Sequence, residues 1–211
     1  MTLNNLAHQL QIIIRGNLVK GNNGLTLWMT GLSGAGKSTI SELLVSKIRT
    51  LGYKVEVLDG EIVRTNLSKG LGFSKEDRET NLLRIAFVCR LLSRNGVIAI
   101  SAAISPYASV RKKIRELDSS MIEIYINAPL EKCIQRDVKG LYKKALSGEI
   151  QHFTGISDPY EPPKDADIEV NTDQESPDES TSKIFAWLVN NGYLKDDTLT
   201  KEIGGYPFPL R

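Results

Sequence analysis

A glycine-rich segment that begins at Gly31 has the residue types of a phosphate-binding loop. Residues 31–38 read Gly-Leu-Ser-Gly-Ala-Gly-Lys-Ser, which fits the pattern G-x-x-x-x-G-K-[ST]. Glycines allow a tight turn whose amides point at phosphate oxygens. Lys37 can reach the β- and γ-phosphates during the reaction, and the Ser38 hydroxyl can ligate Mg²⁺. We therefore expect ATP or GTP to bind here. The predicted nucleotide-binding residues are Gly31, Leu32, Ser33, Gly34, Ala35, Gly36, Lys37, Ser38 and Thr39.

A carboxylate, Asp59, follows the second apolar run of the chain at residues 55–58. The carboxyl ends of parallel strands gather at the sheet edge where a phosphate loop lies, so Asp59 would face the γ-phosphate. There it could accept a proton from an attacking hydroxyl or help to hold Mg²⁺. A second interpretation is that Asp59 only caps a helix beginning at Gly60 or Glu61.

Arginines follow at positions 64, 78 and 84. Guanidinium groups bind phosphate and sulfate in a planar, bidentate way, although an exposed helix face explains Arg84 equally well. The sequence after the first strands contains no N/T-K-x-D guanine motif. A phosphate loop, a carboxylate after the second strand and arginines beyond it indicate a kinase of a small metabolite.

Short apolar runs alternate with helical patterns along the chain, and this alternation must position those side chains. It predicts an α/β fold with three layers, a parallel sheet with helices on both faces. Together with the phosphate loop and the residues after the second strand, this indicates the P-loop nucleotide and metabolite kinase type. The predicted strands are residues 25–29, 55–58, 97–102, 122–126 and 168–170. The predicted helices are residues 37–51, 76–94, 110–117, 130–136 and 177–191, with a short amphipathic piece at 139–146.

We divide the 211 residues into one domain and two flanking segments. Residues 1–24 are predicted to form an N-terminal helix and a turn, residues 25–193 the kinase domain, and residues 194–211 a C-terminal tail. Residues 150–165 are rich in glycine, proline and aspartate, and a loop of that length is usually functional. The lid of the domain is placed at about residues 137–165.

The composition excludes several classes of function. With 27 basic and 25 acidic residues the net charge is +2, which gives no electrostatic footprint for nucleic acid or an anionic membrane. No apolar run is long enough to span a bilayer, and the N-terminus is not typical of a secretory signal. The two cysteines, Cys89 and Cys133, are too few for a disulfide framework. We therefore expect a cytoplasmic protein with reduced thiols.

Further motifs make the chain, over about residues 20–193, resemble the adenylylsulfate kinase (APS kinase) family. The resemblance implies Mg²⁺-dependent transfer of phosphate from ATP to the 3′-hydroxyl of adenylyl sulfate (APS), which gives 3′-phosphoadenylyl sulfate (PAPS). It also implies a homodimer, because the family is commonly dimeric. The motifs are Leu58-Asp59-Gly60-Glu61, Leu71-Gly72-Phe73-Ser74 with Asp77-Arg78 and Asn81, Ile104-Ser105-Pro106-Tyr107, Arg136-Asp137 with Lys139-Gly140-Leu141-Tyr142, and Phe153-Thr154-Gly155 with Asp158-Pro159-Tyr160-Glu161.

The resemblance also implies roles for single residues. Asp59 is similar to the family's candidate base, and Phe73 and Phe153 resemble the pair that stacks on the adenine of APS. Arg136 resembles the residue that packs near the adenine of ATP. The other implied contacts to APS, two of them in the mobile lid, are Arg64, Arg78, Asn81, Ile104, Ser105, Lys139 and Leu141.

Ser105 has more than one interpretation. The family convention labels this serine a phosphoserine intermediate and hence catalytic. An in-line transfer needs only positioning and charge stabilisation, and no base stands beside Ser105 in the sequence. Chemistry therefore favours a role in binding APS or in capping a helix that begins at Pro106.

The chain departs from the usual family pattern at four positions: Glu61, Leu83, Ala103 and Ala108. The resemblance implies aspartate, arginine, phenylalanine and arginine there. These departures leave two alternatives open: a P-loop kinase of another small hydroxyl-bearing metabolite, and a nucleotide-binding regulator without turnover.

Overall fold

The computed structural model describes residues 24–196. Five strands, all parallel, form one sheet in the order β2-β3-β1-β4-β5. They are β1 (Thr26–Thr30), β2 (Lys54–Asp59), β3 (Val97–Ala102), β4 (Met121–Asn127) and β5 (Ile168–Asn171). In that part of the chain the helices are α1 (Lys37–Thr50), α2 (Gly60–Asn66), α3 (Lys75–Ser93), α4 (Ala108–Leu117), α5 (Leu130–Arg136), α6 (Leu141–Leu146) and α7 (Pro177–Asn190).

Helices cover both faces of the sheet, because side chains alternate along each strand. Leu27 and Met29 of β1 pack in a core with residues of α1 and α7. Trp28, between them, packs in a second core with residues of α3 and α4. The predicted three-layer α/β architecture is confirmed.

Most element boundaries agree with the sequence predictions within two residues. The exception is α2, which the sequence indicated only through the second interpretation of Asp59, as the cap of a helix beginning at Gly60 or Glu61. Side-chain caps fix the start of two helices. Ser74 accepts the Asp77 amide at the start of α3, and Ser176 forms a capping box with Glu179 at the start of α7.

The flanking segments fall mostly outside the described residues. The predicted N-terminal helix and turn lie there except for Gly24, and so does the tail beyond residue 196. Leu194 is buried in the core on the α1 and α7 side. The division of the chain into three segments stays a prediction. Within residues 24–196, no helix is both long and apolar enough to cross a membrane.

Candidate active site

The glycine-rich loop joins β1 to α1 at the carboxyl edge of the sheet, as the sequence predicts. Gly31 lies against β4, where a Cβ atom would come within 2.4 Å of the Ile126 carbonyl oxygen, so no side chain fits. Gly36 has a φ of 105° and is the N-cap of α1. The first turn of α1 carries no acidic residue, which leaves the positive end of its dipole directed at the loop.

Lys37 is buried within this loop. Its ammonium group donates hydrogen bonds to the Gly31 carbonyl at 2.8 Å and to the Leu32 carbonyl at 2.7 Å. Burial lowers the pKa of Lys37 to about 8, while the nearby Cys133 and Asp59 oppose that shift. An anion that reaches this buried ammonium group would stabilise its positive charge.

Arg136 and Thr172 hold the outer side of the loop. Arg136 Nη1 donates to the Gly34 carbonyl at 3.2 Å and to Thr172 Oγ1 at 3.1 Å. Thr172 Oγ1 in turn lies 2.8 Å from the Ala35 carbonyl oxygen, to which it donates. Arg136 was predicted to lie near the nucleotide, and it contacts the loop. Thr172, directly after β5, was missed by sequence reasoning because its role depends on sheet order.

Asp59 contacts both α2 and the phosphate loop. Oδ1 accepts the Glu61 amide at 2.9 Å and so caps α2. Oδ2 accepts the Ser38 hydroxyl at 3.3 Å and so faces the phosphate loop. Two adjacent oxygen donors, one of them a carboxylate, fit the preference of Mg²⁺ for oxygen ligands.

Two arginines surround the exposed ring of Phe73. The guanidinium carbon of Arg64 lies 4.4 Å from the ring centroid and that of Arg78 lies 5.6 Å away. Arg64 Nη1 donates to the Gly72 carbonyl at 2.8 Å, and Arg78 Nε donates to the Phe73 carbonyl at 2.8 Å. Partial burial and the charge of Arg78 lower the pKa of Arg64. An anion bound here would reduce the repulsion between the guanidinium groups of Arg64 and Arg78.

Arg78 also joins the Phe73 segment to the segment that carries Phe153. Its Nη2 donates to the His152 carbonyl and lies 3.7 Å from Asp158 Oδ2. Phe153 is buried and meets Tyr142 edge to face at 5.0 Å between centroids. One guanidinium group therefore binds the carbonyl of Phe73 and the carbonyl of the residue that precedes Phe153.

Asn81 lies on α3 less than one turn after Arg78 and is buried. Its Oδ1 has no hydrogen-bond partner among the described residues. A buried acceptor without a partner is costly, so a ligand that donates to it would stabilise the site.

The backbone of Ile104 and Ser105 lies beside the end of β1 and forms the floor of the candidate site. Thr30 Oγ1 donates to the Ile104 carbonyl at 2.7 Å. Ser105 is 1% exposed with a φ of 49°, and its hydroxyl accepts the Trp28 indole N–H at 3.1 Å. The predicted capping role of Ser105 is wrong: α4 begins at Ala108 rather than Pro106, and Glu161 Oε2 accepts the Ala108 amide at 2.7 Å.

Comparison with known proteins decides the family. The family profile described as adenylylsulphate kinase matches residues 23–171. The chain belongs to the adenylylsulphate kinase family. It is 58% identical over 172 residues to a probable adenylyl-sulfate kinase of Synechocystis sp., covering 82% of this chain and 97% of that protein.

Two solved structures of APS kinases are also similar to the chain. One is the Mycobacterium tuberculosis APS kinase CysC in complex with AMPPNP and APS, with 40% identity and a TM-score of 0.75, covering 79% of this chain and 98% of that one. The other is a hexameric APS kinase from Thiobacillus denitrificans, with 33% identity and a TM-score of 0.64, covering 82% of this chain and 30% of that one.

The segment predicted to form the lid contacts the rest of the site at several points. Lys139 forms an exposed ion pair with Glu61, the residue that replaces the usual aspartate. Leu141 begins α6 and packs partly buried against the core. Tyr142, next in α6, donates its hydroxyl to the Ser33 carbonyl at 2.9 Å, so this helix rests on the phosphate loop.

The remaining predicted residues lie apart from the loop. Arg84 is exposed and donates to the Leu67 carbonyl at 3.0 Å, which fits the surface interpretation of this residue. Ala103 is buried, whereas Leu83 is partly buried on α3. Cys89 and Cys133 are buried free thiols, as expected, and burial raises the pKa of Cys89 to about 12.

Proposed function

We propose that the chain transfers the γ-phosphoryl group of ATP to the 3′-hydroxyl of APS, giving PAPS and ADP. The observation that carries this proposal is membership of the adenylylsulphate kinase family over residues 23–171. The Mycobacterium tuberculosis relative, whose structure holds AMPPNP and APS, supports the same pair of substrates for this chain.

The phosphate loop and Lys37 would bind the β- and γ-phosphates of ATP. The loop amides and the start of α1 supply positive potential, and the Lys37 ammonium group would exchange its two carbonyl partners for phosphate oxygens. Arg136 would hold the loop in place and pack beside the adenine of ATP. Charge stabilisation and positioning account for most catalysis of phosphoryl transfer.

Asp59 is the proposed base. The 3′-oxygen of APS attacks the γ-phosphorus, the bond to the β–γ bridging oxygen breaks, and ADP leaves. The proton of the 3′-hydroxyl passes to the Asp59 carboxylate, whose Oδ2 lies beside the Ser38 hydroxyl. Ser38 would ligate Mg²⁺. When bound, Mg²⁺ neutralises charge on the transferred phosphoryl group.

APS would bind between the two phenylalanine segments. We assign its adenine to Phe73 and Phe153 and its charged groups to Arg64 and Arg78, because guanidinium groups suit phosphate and sulfate oxygens. The unpartnered Oδ1 of Asn81 would accept a hydrogen bond from the substrate. The residues proposed to complete the site, from the floor and the lid, are Ile104, Ser105, Lys139 and Leu141.

The direct test is to incubate the purified protein with Mg·ATP and APS and to follow ADP and PAPS together, with a control that lacks APS. We expect PAPS to form in step with ADP. ADP formed with other hydroxyl acceptors but not with APS would indicate a kinase of another metabolite. A rise in Tm with ATP and APS but without PAPS would indicate a binding protein without turnover.

We also propose a homodimer in the cytoplasm, with the exposed face of α3 as the contact surface. Phe87 is 64% exposed there and Leu83 is partly buried beside it. The same face carries Glu76 near the start of the helix and Arg94 just after its end. Two copies of α3 packed antiparallel about a twofold axis would place Glu76 of each copy opposite Arg94 of the other. The charges are therefore self-complementary, which favours a second copy over an unrelated partner.

Sedimentation of the wild type and three variants tests this surface. We expect a dimer for the wild type, loss of the dimer in Glu76→Arg, and its recovery in the double variant Glu76→Arg with Arg94→Glu. A monomeric wild type, or a dimer that Glu76→Arg and Phe87→Glu leave intact, would exclude this interface.

A further inference from the structure

Arg111 lies beneath the substrate site and has no role in the chemistry described above. It is buried in the first half of α4 and forms an ion pair with Glu123 of β4, with 2.7 Å between Nε and Oε1. A buried charge is stable only when it is paired and hydrogen-bonded. The ion pair anchors the guanidinium group to the central part of the sheet.

The other two nitrogens of Arg111 bind two different backbone segments. Nη1 donates to the Ser105 carbonyl at 2.7 Å, and Nη2 donates to the Glu161 carbonyl at 2.7 Å. Ser105 has a φ of 49°, a conformation that residues other than glycine rarely adopt. The hydrogen bond from Arg111 helps to keep this peptide in that unfavourable conformation.

Glu161 attaches its whole segment to the start of α4. Its amide donates to the Pro106 carbonyl at 2.8 Å, and its carboxylate accepts the Ala108 amide at 2.7 Å. The same segment contains Phe153 and also Asp158, which lies 3.7 Å from Arg78. The position of Glu161 therefore affects the side of the site that is proposed to hold adenine.

We propose that Arg111 is a positioning residue for APS, one that fixes the Ser105 peptide and the segment ending at Glu161 relative to each other. This proposal rests on the proposed function. A guanidinium group suits the task because its planar set of five N–H donors can bind three partners at fixed angles. A lysine would keep the charge but could not keep the ion pair and both hydrogen bonds in that geometry.

Arg115, one turn later on the same helix, provides a matched control. It donates to Glu123 Oε2 at 3.2 Å and to Asp167 Oδ2 at 2.8 Å. It thus shares the Glu123 carboxylate with Arg111. Unlike Arg111, it donates no hydrogen bond to Ser105 or to Glu161. Arg115→Lys disturbs the same charge network without disturbing the two substrate segments.

The experiment compares Arg111→Lys with Arg115→Lys in steady-state kinetics. We expect Arg111→Lys to raise KM for APS at least about tenfold and to leave KM for ATP within about twofold, since the lost hydrogen bonds serve only the APS side. Arg115→Lys should leave both KM values within about twofold of the wild type. An unchanged KM for APS in Arg111→Lys, or an equal rise for both substrates, would overturn the proposal.

Trp28 supplies a readout that does not depend on turnover. The chain has two tryptophans, and Trp28 donates its indole N–H to the Ser105 hydroxyl. In a Trp187→Phe background, the emission of Trp28 reports on the position of Ser105. We expect Arg111→Lys to shift this emission and Arg115→Lys to leave it unchanged.

The emission also separates this proposal from the proposed function. If the wild type forms no PAPS, the proposed function fails, and the position of Ser105 is then judged by Trp28 alone. A shift confined to Arg111→Lys supports the positioning role, whereas identical emission from all three proteins overturns it.

Discussion

Asp59 Oδ2 lies 3.3 Å from the Ser38 hydroxyl, which links the end of β2 to the first turn of α1. The other oxygen of the same carboxylate accepts the Glu61 amide at 2.9 Å and caps α2. Asp59 thus has two roles: it caps α2, and it presents an oxygen to the phosphate loop. A substitution must separate these two roles before it says anything about catalysis.

Asp59→Asn separates them, because asparagine caps a helix about as well as aspartate. We expect Asp59→Asn to keep the Tm and ATP binding of the wild type and to lower kcat by roughly 10²- to 10⁴-fold, the usual contribution of a general base. Asp59→Ala should lose as much kcat and also about 0.5–2 kcal/mol of stability, because the cap is removed. Unchanged turnover in Asp59→Asn would remove Asp59 from the mechanism.

Much of the fold could be predicted because buried parallel strands read as continuous apolar runs, and β1 and β3 are of this kind. The phosphate loop was visible because its glycines and Lys37 are adjacent in sequence. Asp59 could be placed because the carboxyl ends of parallel strands share one edge. The short helix α2 was not predicted as an element, since seven residues give too little periodicity.

The missed contacts depend on neighbours that are distant in sequence. Thr172 contacts the phosphate loop only because β5 lies next to β4 at the edge of the sheet. Arg111 belongs to a basic run that reads as an exposed helix face, yet it is 3% exposed because Glu123 lies opposite. Ser105 was a candidate cap for a helix beginning at Pro106, whereas its hydroxyl accepts a hydrogen bond from the Trp28 indole N–H.

Phe73→Ala tests the proposed stacking of the adenine of APS. Phe73 is 53% exposed, so its removal should hardly change the Tm. Stacking of a base on an aromatic ring contributes about 1–3 kcal/mol, so KM for APS should rise by roughly 5- to 150-fold. KM for ATP should stay unchanged. Leu117→Ala, at a position 51% exposed at the end of α4, is the control. Equal effects of Phe73→Ala on both substrates would contradict the assignment.

The pKa of Lys37, which burial lowers to about 8, predicts a pH dependence of nucleotide affinity. Phosphates bound beside Lys37 favour its charged form and raise this pKa, so binding takes up a proton wherever the free protein has lost it. The affinity for AMPPNP should therefore be constant below pH 8 and fall by up to about tenfold per unit above it. Titrations by calorimetry from pH 7 to 9.5 measure this. Lys37→Arg, which stays charged, should remove the dependence; an equal slope in that variant would assign it to another group.

Thr172→Val tests the support of the phosphate loop from β5. The substitution keeps the shape of the side chain but removes the donor to the Ala35 carbonyl and the acceptor for Arg136. We expect a loss of about 1 kcal/mol in unfolding free energy and a several-fold rise in KM for ATP, with KM for APS unchanged. Thr181→Val is the control, because the Thr181 hydroxyl donates only to the Pro177 carbonyl within α7. A rise in KM for APS alone would contradict this role.

Ser105→Ala decides whether the serine carries phosphate during the reaction. Ser105 is 1% exposed and its hydroxyl already accepts the Trp28 indole N–H, so it is poorly placed to attack ATP. We expect no radiolabel on the wild-type protein after incubation with γ-labelled Mg·ATP alone. We also expect Ser105→Ala to retain kcat within about tenfold, because direct transfer requires positioning and charge stabilisation rather than a nucleophile on the protein. Stoichiometric labelling of the wild type that is absent from Ser105→Ala, together with loss of PAPS formation, would establish a phosphoserine intermediate instead.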